Sequence, residues 1–145
     1  MITAKDVADY FLSMSDEEAG DLLSNLKLQK LAYYAQGFHL ALFDKPLFPE
    51  SIQAWTHGPV VPDLYHRFKE YGSGAIPVQT FDPSSMDDCV RSLLDEVYSV
   101  YGQYSAWKLR NLTHDEPTWV DAYRNAPSSE ITHDSMKAFF KTLLN

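Results

Sequence analysis

The chain has 145 residues, 45% of them apolar, and its 12 basic and 20 acidic side chains give a net charge of −8. This length fits a single domain, residues 1–145, with a core large enough to need no disulfide or structural metal. One cysteine excludes an intramolecular disulfide and favours a reducing compartment. The lack of a basic stripe argues against direct nucleic-acid binding, and the short apolar runs argue against a membrane span. Because the first residues do not form a signal peptide, we expect a cytoplasmic protein.

Apolar spacing at helical periods predicts a mainly α fold, and the excess of Leu, Ala and Met over Ile and Val supports it. The first helix is predicted over residues 3–12 and begins with a capping box formed by Thr3 and Asp6. The segment that follows, residues 13–20, is small and acidic, which predicts a loop or a short turn before the next helix.

The second helix, residues 24–43, is the centre of the predicted fold. Its polar side chains do not share a face, and a helix that is apolar nearly all round is typically buried. Gly37 lies inside this helix at a cost of about 1 kcal/mol relative to alanine, which predicts a close approach by a neighbouring backbone or ring. We therefore expect the other helices to pack around this one.

Prolines and glycines interrupt the helical pattern after the second helix and leave two extended segments. Residues 51–55 and 76–81 are predicted to pair as a small two-stranded β ribbon, with Pro77 confined to an edge because it cannot donate to a ladder. Further helices are predicted at 62–72, at 84–102, at 105–112, at 117–123 and from Thr132 onward. The expected fold is mainly α: one compact domain of six or seven helices around a buried central helix, with this ribbon.

Two histidines stand where the chain bends, and both are candidates for catalytic groups. His57 lies in a proline-rich bend, where a rigid backbone could hold it as a base or a ligand. An enzyme hypothesis unites His57 and His114 with Asp115 or Glu116 in a hydrolytic or metal-binding cluster. No HExxH motif, nucleophile elbow or paired-carboxylate spacing supports it. We therefore expect no catalytic, cofactor or metal site, and we expect the His57 ring to bond backbone groups that fix the bend.

A cysteine and two lysines also carry chemistry of interest. Cys89 lies near the start of a predicted helix, where a thiolate can be stabilised, but the two aspartates before it oppose that charge. We therefore expect Cys89 to be a small filler in the packing. Lys27 and Lys30 of the second helix could bind an anion. The alternative is that their stems cover apolar surface while their amines reach solvent.

Two long strings are specific enough to carry a resemblance: LKLQKLAYYAQGFHLA at residues 26–41 and IQAWTHGPVVP at residues 52–62. Together with a later Thr-His and Trp segment, they resemble the Panacea domain, a family also called SocA-like or phage-associated GepA-like. The resemblance covers most of the chain, from about residue 4 to residue 125. A departure from the family pattern is Thr118, which separates a proline from Trp119. The family-motif residues in this chain, expected to be structural, are Lys30, Tyr33, Tyr34, Gln36, Trp55, His57, Gly58, Pro59, Val60, Thr113, His114 and Trp119.

The resemblance implies an antitoxin that neutralises a cognate toxin by direct protein–protein contact, and it does not imply an enzyme. One branch of the family delivers its toxin to a protease, so a proteolysis adaptor is an alternative function, beside a hydrolase that would use His57 and His114. Some members carry an extra N-terminal DNA-binding module; this chain starts at the domain, so operator binding is not expected. The acidic surface would suit a basic toxin, because opposite charges steer association.

Overall fold

The computed structural model describes residues 2–15 and 22–144, and within them the chain forms seven α-helices and five short strands. The helices are α1 (Ala4–Met14), α2 (Asn25–Phe43), α3 (Pro62–Phe68), α4 (Asp88–Tyr101), α5 (Ala106–Thr113), α6 (Pro117–Asn125) and α7 (His133–Lys141). The strands are β1 (Leu23–Ser24), β2 (Ile52–Trp55), β3 (Gly58–Val60), β4 (Ala75–Ile76) and β5 (Glu130–Ile131). The predicted mainly helical fold is confirmed.

The first helix begins as predicted and ends later. Thr3 accepts a hydrogen bond from the backbone of Asp6, and the carboxylate of Asp6 accepts one from the backbone of Thr3, so the capping box is present. The helix continues through Met14, two residues into the segment predicted as a loop. Residues 16–20 of that segment lie outside the described residues.

Helix α2 is the central helix, and α1, α3, α4, α5 and α7 all pack on it. Polar side chains around its whole circumference are buried, among them Gln36, which is fully buried. Gln36 accepts a hydrogen bond from the backbone of Leu47 at 2.7 Å and donates one to the carbonyl of Phe48 at 2.9 Å. These two bonds tie the loop after α2 back onto the helix and satisfy a polar group that would be costly to bury alone.

Gly37 lies where α7 packs closely against α2. A Cβ atom at this position would lie 2.2 Å from a ring carbon of Phe140 on α7. The same ring meets the ring of Phe38 edge to face, with centroids 4.8 Å apart. The predicted close approach by a ring is therefore confirmed, and it explains why glycine stands in the middle of this helix.

The strands pair differently from the prediction. β2 is the middle strand of a three-stranded antiparallel sheet, between β3 and β5, whereas β4 pairs with β1 in a separate two-stranded sheet. The predicted pairing of residues 51–55 with 76–81 was therefore wrong. Gly58 has φ +115°, so the chain reverses directly after β2 and the next segment pairs with it. Pro59 stands in β3, an edge strand, where its missing donor is tolerated.

Candidate interaction site

The β2–β3 hairpin is held from the side by two residues of the distant Thr-His and Trp segment. The indole Nε1 of Trp119 donates to the carbonyl of Trp55 at 2.8 Å, and Nε2 of His114 lies 2.9 Å from the carbonyl of Thr56. The rings of His114 and Trp119 also pack on each other, with centroids 4.0 Å apart. Two family-motif residues that follow the hairpin by about sixty positions in the sequence thus hold its backbone.

Lys30 holds the same hairpin from the central helix. Its side chain is fully buried, and its Nζ donates to the carbonyl of Pro59 at 3.3 Å. A Cβ atom on Gly58 would lie 2.6 Å from Cε of Lys30 and 2.8 Å from Oγ1 of Thr113, so the lysine fills the space that this glycine leaves. Burial, with a smaller effect from the charge of Arg110, lowers the pKa of Lys30 to about 7.

Neither lysine singled out in the sequence extends freely into solvent. Lys30 is buried because the hairpin closes over its amine, and Nζ of Lys27 donates to the carbonyl of Gly102 at 2.6 Å. That carbonyl lies just past the end of α4, where a positive charge is favourable. For Lys30 the alternative that the amine reaches solvent was therefore wrong, and both lysines join α2 to neighbouring elements.

The two histidines have different roles, and the role expected of His57 is filled by His114. His57 is exposed, and its Nδ1 accepts a hydrogen bond from Nε of Arg110 at 3.3 Å. His114 instead contacts backbone carbonyls with both ring nitrogens, those of Arg110 and Thr56, at 2.6 and 2.9 Å. The role of fixing the bend, expected of His57, therefore belongs to His114. Among the described residues, no group of three or more His, Cys, Asp or Glu side chains could hold a metal ion.

A partly buried carboxylate joins α6 to the central helix. The two oxygens of Glu116 accept hydrogen bonds from the hydroxyls of Tyr33 and Tyr34 at 2.7 and 2.8 Å, and the hydroxyl of Tyr33 also lies 2.5 Å from Oγ1 of Thr118. Burial raises the pKa of Glu116 to about 7, although the two hydroxyl bonds act to lower it. The cluster of Tyr33, Tyr34, Glu116 and Thr118 is called the tyrosine–glutamate cluster below.

Sequence reasoning missed this cluster, although a signal for it was present. Tyrosine hydroxyls buried in a helix need partners, and two adjacent tyrosines in the predicted central helix therefore imply a buried acceptor elsewhere in the chain. The enzyme hypothesis places Glu116 only beside the histidines. Thr118, the departure from the family pattern, is buried in this cluster and bonded to Tyr33, so it fits the local structure.

A concave surface of about 650 Å³ lies beside the hairpin and is called the hairpin groove. Its walls carry aromatic rings from three elements, and its rim carries one cationic side chain. The rings are those of Trp55, Tyr65 and Tyr123, the cationic side chain is that of Lys69, and the ring of His57 also lines the hairpin groove. The rings of Trp55 and Tyr65 meet edge to face with centroids 4.9 Å apart. This volume falls in the range of sites that bind ligands or partner side chains.

The floor of the hairpin groove is a chain of hydrogen bonds between amides. Gln29 accepts a hydrogen bond from the backbone of Val61 at 2.8 Å and donates to the side chain of Asn25 at 2.8 Å. Asn25 in turn donates to the carbonyl of Tyr65 at 3.3 Å. Because these amides bond within the protein, they fix the shape of the hairpin groove.

A second, more open depression of about 410 Å³ lies between the end of α2 and the first half of α4. It includes the exposed side chains of Leu42, Phe43 and Cys89. Cys89 is therefore not the buried filler that was expected, because it faces outward from the first turn of α4. None of the helices in the described part of the chain is long and apolar enough to cross a membrane.

This helical fold, built on a buried α2 with the hairpin locked onto it, belongs to a known class of proteins. The model of the family described as "Antitoxin SocA-like, Panacea domain" matches residues 28–120, more than half of the chain, so the protein belongs to this family. The match runs from α2 into α6 and includes every family-motif residue named above. The resemblance carried by the two strings is confirmed.

Among curated proteins, the chain is similar to "Antitoxin SocA" of Caulobacter vibrioides (strain NA1000 / CB15N). The two are 28% identical over 120 residues, which cover 75% of this chain and 64% of the relative. This chain therefore spans somewhat less than two thirds of the length of that relative. No solved structure matches this chain.

Proposed function

We propose that this protein is an antitoxin that neutralises a toxin by direct protein–protein contact. Membership of the SocA-like antitoxin family, shown by the match over residues 28–120, carries the proposal. The similarity to a protein named Antitoxin SocA supports it, and the activity of that longer relative is transferred to this chain as part of the proposal.

The geometry favours a binding protein over an enzyme. The groups that a hydrolase would use are engaged in holding the fold: His114 bonds to backbone carbonyls, and Glu116 bonds to two tyrosines. His57 lines the hairpin groove, whereas His114 does not. A nucleophile, a base and an orienting acid within hydrogen-bond reach are what such catalysis needs. The hairpin groove instead presents aromatic rings, which are the side chains that dominate protein interfaces.

The charge of the chain supports a basic toxin as partner. A net charge of −8 attracts a cationic protein over distances set by the ionic strength, and this raises the association rate. An association rate that falls steeply as salt is added would support a basic partner. The proteolysis adaptor stays a prediction of the resemblance, checked by whether the half-life of the partner in cells lengthens when this protein is deleted.

The test of the proposal is co-expression with the product of the neighbouring gene. That product alone should arrest growth, and this protein should restore growth and co-purify with it as a stable complex. Gly37→Leu is the matched control, because a side chain there cannot fit beside the ring of Phe140 and the variant should lose both effects with its fold. A neighbour that is harmless alone and does not associate would contradict the proposal for this protein.

A further inference from the structure

We propose that the hairpin groove receives a segment of the partner protein in which an aromatic side chain stands next to a carboxylate. This inference rests on the proposed antitoxin function and deepens it, because it names the surface and the chemistry of the contact. Four observations carry it: the exposure of the rings, the charge of the rim, the rigidity of the walls and the size of the site.

The aromatic part of the partner segment follows from the walls. Tyr65 is 37% exposed although its ring already meets Trp55, so one edge of this pair is available to a third ring. On the facing side, Tyr123 stacks on Trp119 with centroids 4.8 Å apart, and its hydroxyl lies 3.2 Å from that of Thr56. Rings prefer offset or edge-to-face partners, and such pairs add to the free energy of apolar burial.

The acidic part follows from the charge of the rim. The chain has 20 acidic residues and a net charge of −8, yet none of the described residues that line the hairpin groove is Asp or Glu. The cationic side chain in the lining is that of Lys69, and a second cationic group, the guanidinium of Arg110, donates to the ring of His57, which also lines the hairpin groove. A carboxylate beside the aromatic anchor would meet these groups, whereas a lysine or arginine would be repelled by them.

The local charge and the net charge have different consequences for the same partner. The overall −8 steers a basic protein at long range, where separate charges add. The cationic rim acts only at contact, and it selects one acidic segment of that protein. A cationic rim on an otherwise acidic protein fixes the orientation of the partner, because a basic partner surface could otherwise bind at many positions.

The walls are held in place before a partner arrives. The hairpin is bonded by Lys30, His114 and Trp119, and the floor is closed by the amide chain from Asn25 through Gln29. A rigid site loses little conformational entropy on binding, so its contacts contribute more of their free energy to affinity. The motif residues Lys30, His114 and Trp119 thus serve binding by holding the site, whereas the motif residues Trp55 and His57 line it.

A protein segment suits this site better than a nucleotide does. The hairpin groove is large enough for several side chains. A nucleotide needs several donors that converge on its phosphates, such as a glycine-rich loop leading into a helix. Lys69 is the one lysine or arginine among the described lining residues. A single carboxylate matches this rim, whereas a polyphosphate requires more positive charge.

The first arm of the test uses the complex with the neighbouring gene product and two charge-reversal variants. Lys69→Glu and Lys141→Glu change the net charge equally, but Lys141 is exposed on α7, outside the hairpin groove. Lys69→Glu should weaken the complex at least about tenfold, while Lys141→Glu should leave the affinity within about twofold of wild type. Equal losses of affinity in both variants would overturn the inference, because the net charge of the protein alone would then explain them.

The second pair of variants compares two partly exposed rings. Tyr65 and Phe43 are 37% and 42% exposed, and Phe43 lies in the open depression near Cys89. Tyr65→Ala should weaken the complex about tenfold or more, and Phe43→Ala should not. Only the backbone carbonyl of Tyr65 is used by the floor, so the fold should survive, which circular dichroism would verify. Loss with Phe43→Ala alone would place the contact in the open depression and overturn the inference.

The third arm needs no toxin, so it separates failure of the inference from failure of the proposed function. Two synthetic peptides, Gly-Glu-Trp-Glu-Gly and Gly-Lys-Trp-Lys-Gly with blocked ends, are titrated at millimolar concentration against the protein labelled with nitrogen-15. The acidic peptide should shift the indole resonance of Trp55 and the amide of Ser73, which line the hairpin groove. Equal shifts with the lysine peptide, no shifts at these residues, or stronger shifts there with AMP would each overturn the inference.

Discussion

Lys30, which is fully buried, and Glu116, which is partly buried, are both ionisable side chains that lie against the central helix, but the protein holds them in opposite ways. Glu116 accepts hydrogen bonds from two tyrosine hydroxyls at 2.7 and 2.8 Å. The amine of Lys30 has, among the described residues, one acceptor at 3.3 Å, and the charge of Arg110 acts to lower its pKa further. Tyrosine hydroxyls stabilise the charged form of Glu116, whereas little around Lys30 stabilises its charged form.

The difference shows that two sites with the same pKa can have different roles. Burial moves both groups to a pKa of about 7, from opposite directions. Glu116 joins two helices through directional hydrogen bonds, so its contribution to stability depends on those bonds. Lys30 fills the space beneath Gly58 with its stem, so its contribution to stability depends on shape. The charge of its buried amine destabilises the fold. The predictions below separate these roles.

The largest expected effect is the pH dependence that Lys30 imposes on stability. Its pKa of about 7 in the folded protein lies below the ordinary value of 10.5, so between these values the unfolded chain holds the extra proton and stability rises with pH. The rise amounts to about 5 kcal/mol over the whole window between the two pKa values. Denaturant unfolding of wild type and Lys30→Met from pH 7 to 10 should show this rise in wild type and not in the variant.

Lys141→Met is the control for this measurement, because it removes an exposed lysine of α7 and should keep the wild-type rise. Parallel profiles for wild type and Lys30→Met would mean that the amine of Lys30 keeps its ordinary pKa, and the contrast with Glu116 would then be wrong.

The next effect tests whether the stem of Lys30 matters through shape. Gly58→Ala places a methyl group 2.6 Å from Cε of Lys30, at a backbone φ of +115°. The crowding and the strain together should destabilise the fold by about 3 kcal/mol. Gly72→Ala is the matched control, because Gly72 also has positive φ, +56°, but its Cβ would meet nothing within 4 Å. Urea unfolding should show a clearly smaller loss for Gly72→Ala; equal losses would mean that strain alone acts at Gly58.

Much of the fold followed from local pattern. The central helix, the capping box at Thr3 and the close approach at Gly37 all depend on the spacing of residues near each other in the chain, and all were predicted. The strand pairing failed because it depends on which distant segment meets β2, and two extended segments of similar character were available. Periodicity reports burial, but it does not report partners.

The candidate site was harder to predict for the same reason. His57 attracted attention because of its unusual local context, yet the residue that fixes the bend is His114, which lies 58 positions after Thr56. The burial of Lys30 was also missed, since a lysine on a mostly apolar helix ordinarily extends its amine to solvent. In each case the deciding partner lies far away in sequence.

The third effect is the pH dependence due to Glu116, and it has the opposite sign from that of Lys30. The pKa of Glu116 is raised from 4.5 to about 7 on folding, so between these values the folded state holds the extra proton and stability falls as pH rises. The fall should be about 2 to 3 kcal/mol. Glu116→Gln should flatten the profile between pH 4.5 and 7, and Glu70→Gln, at an exposed position, should not. A fall that persists in Glu116→Gln would assign it to another group.

The smallest effect resolves the tyrosine–glutamate cluster into its two hydroxyls. The hydroxyl of Tyr33 bonds both Glu116 and Thr118, whereas that of Tyr34 bonds Glu116. Tyr33→Phe should therefore cost about 2 kcal/mol and Tyr34→Phe about 1 kcal/mol in urea unfolding at pH 7. Each variant also removes a donor that lowers the pKa of Glu116, so the pH at which stability stops falling should move above 7. If both variants cost the same and leave that pH unchanged, the carboxylate is not held by these hydroxyls, and the contrast with Lys30 loses its basis.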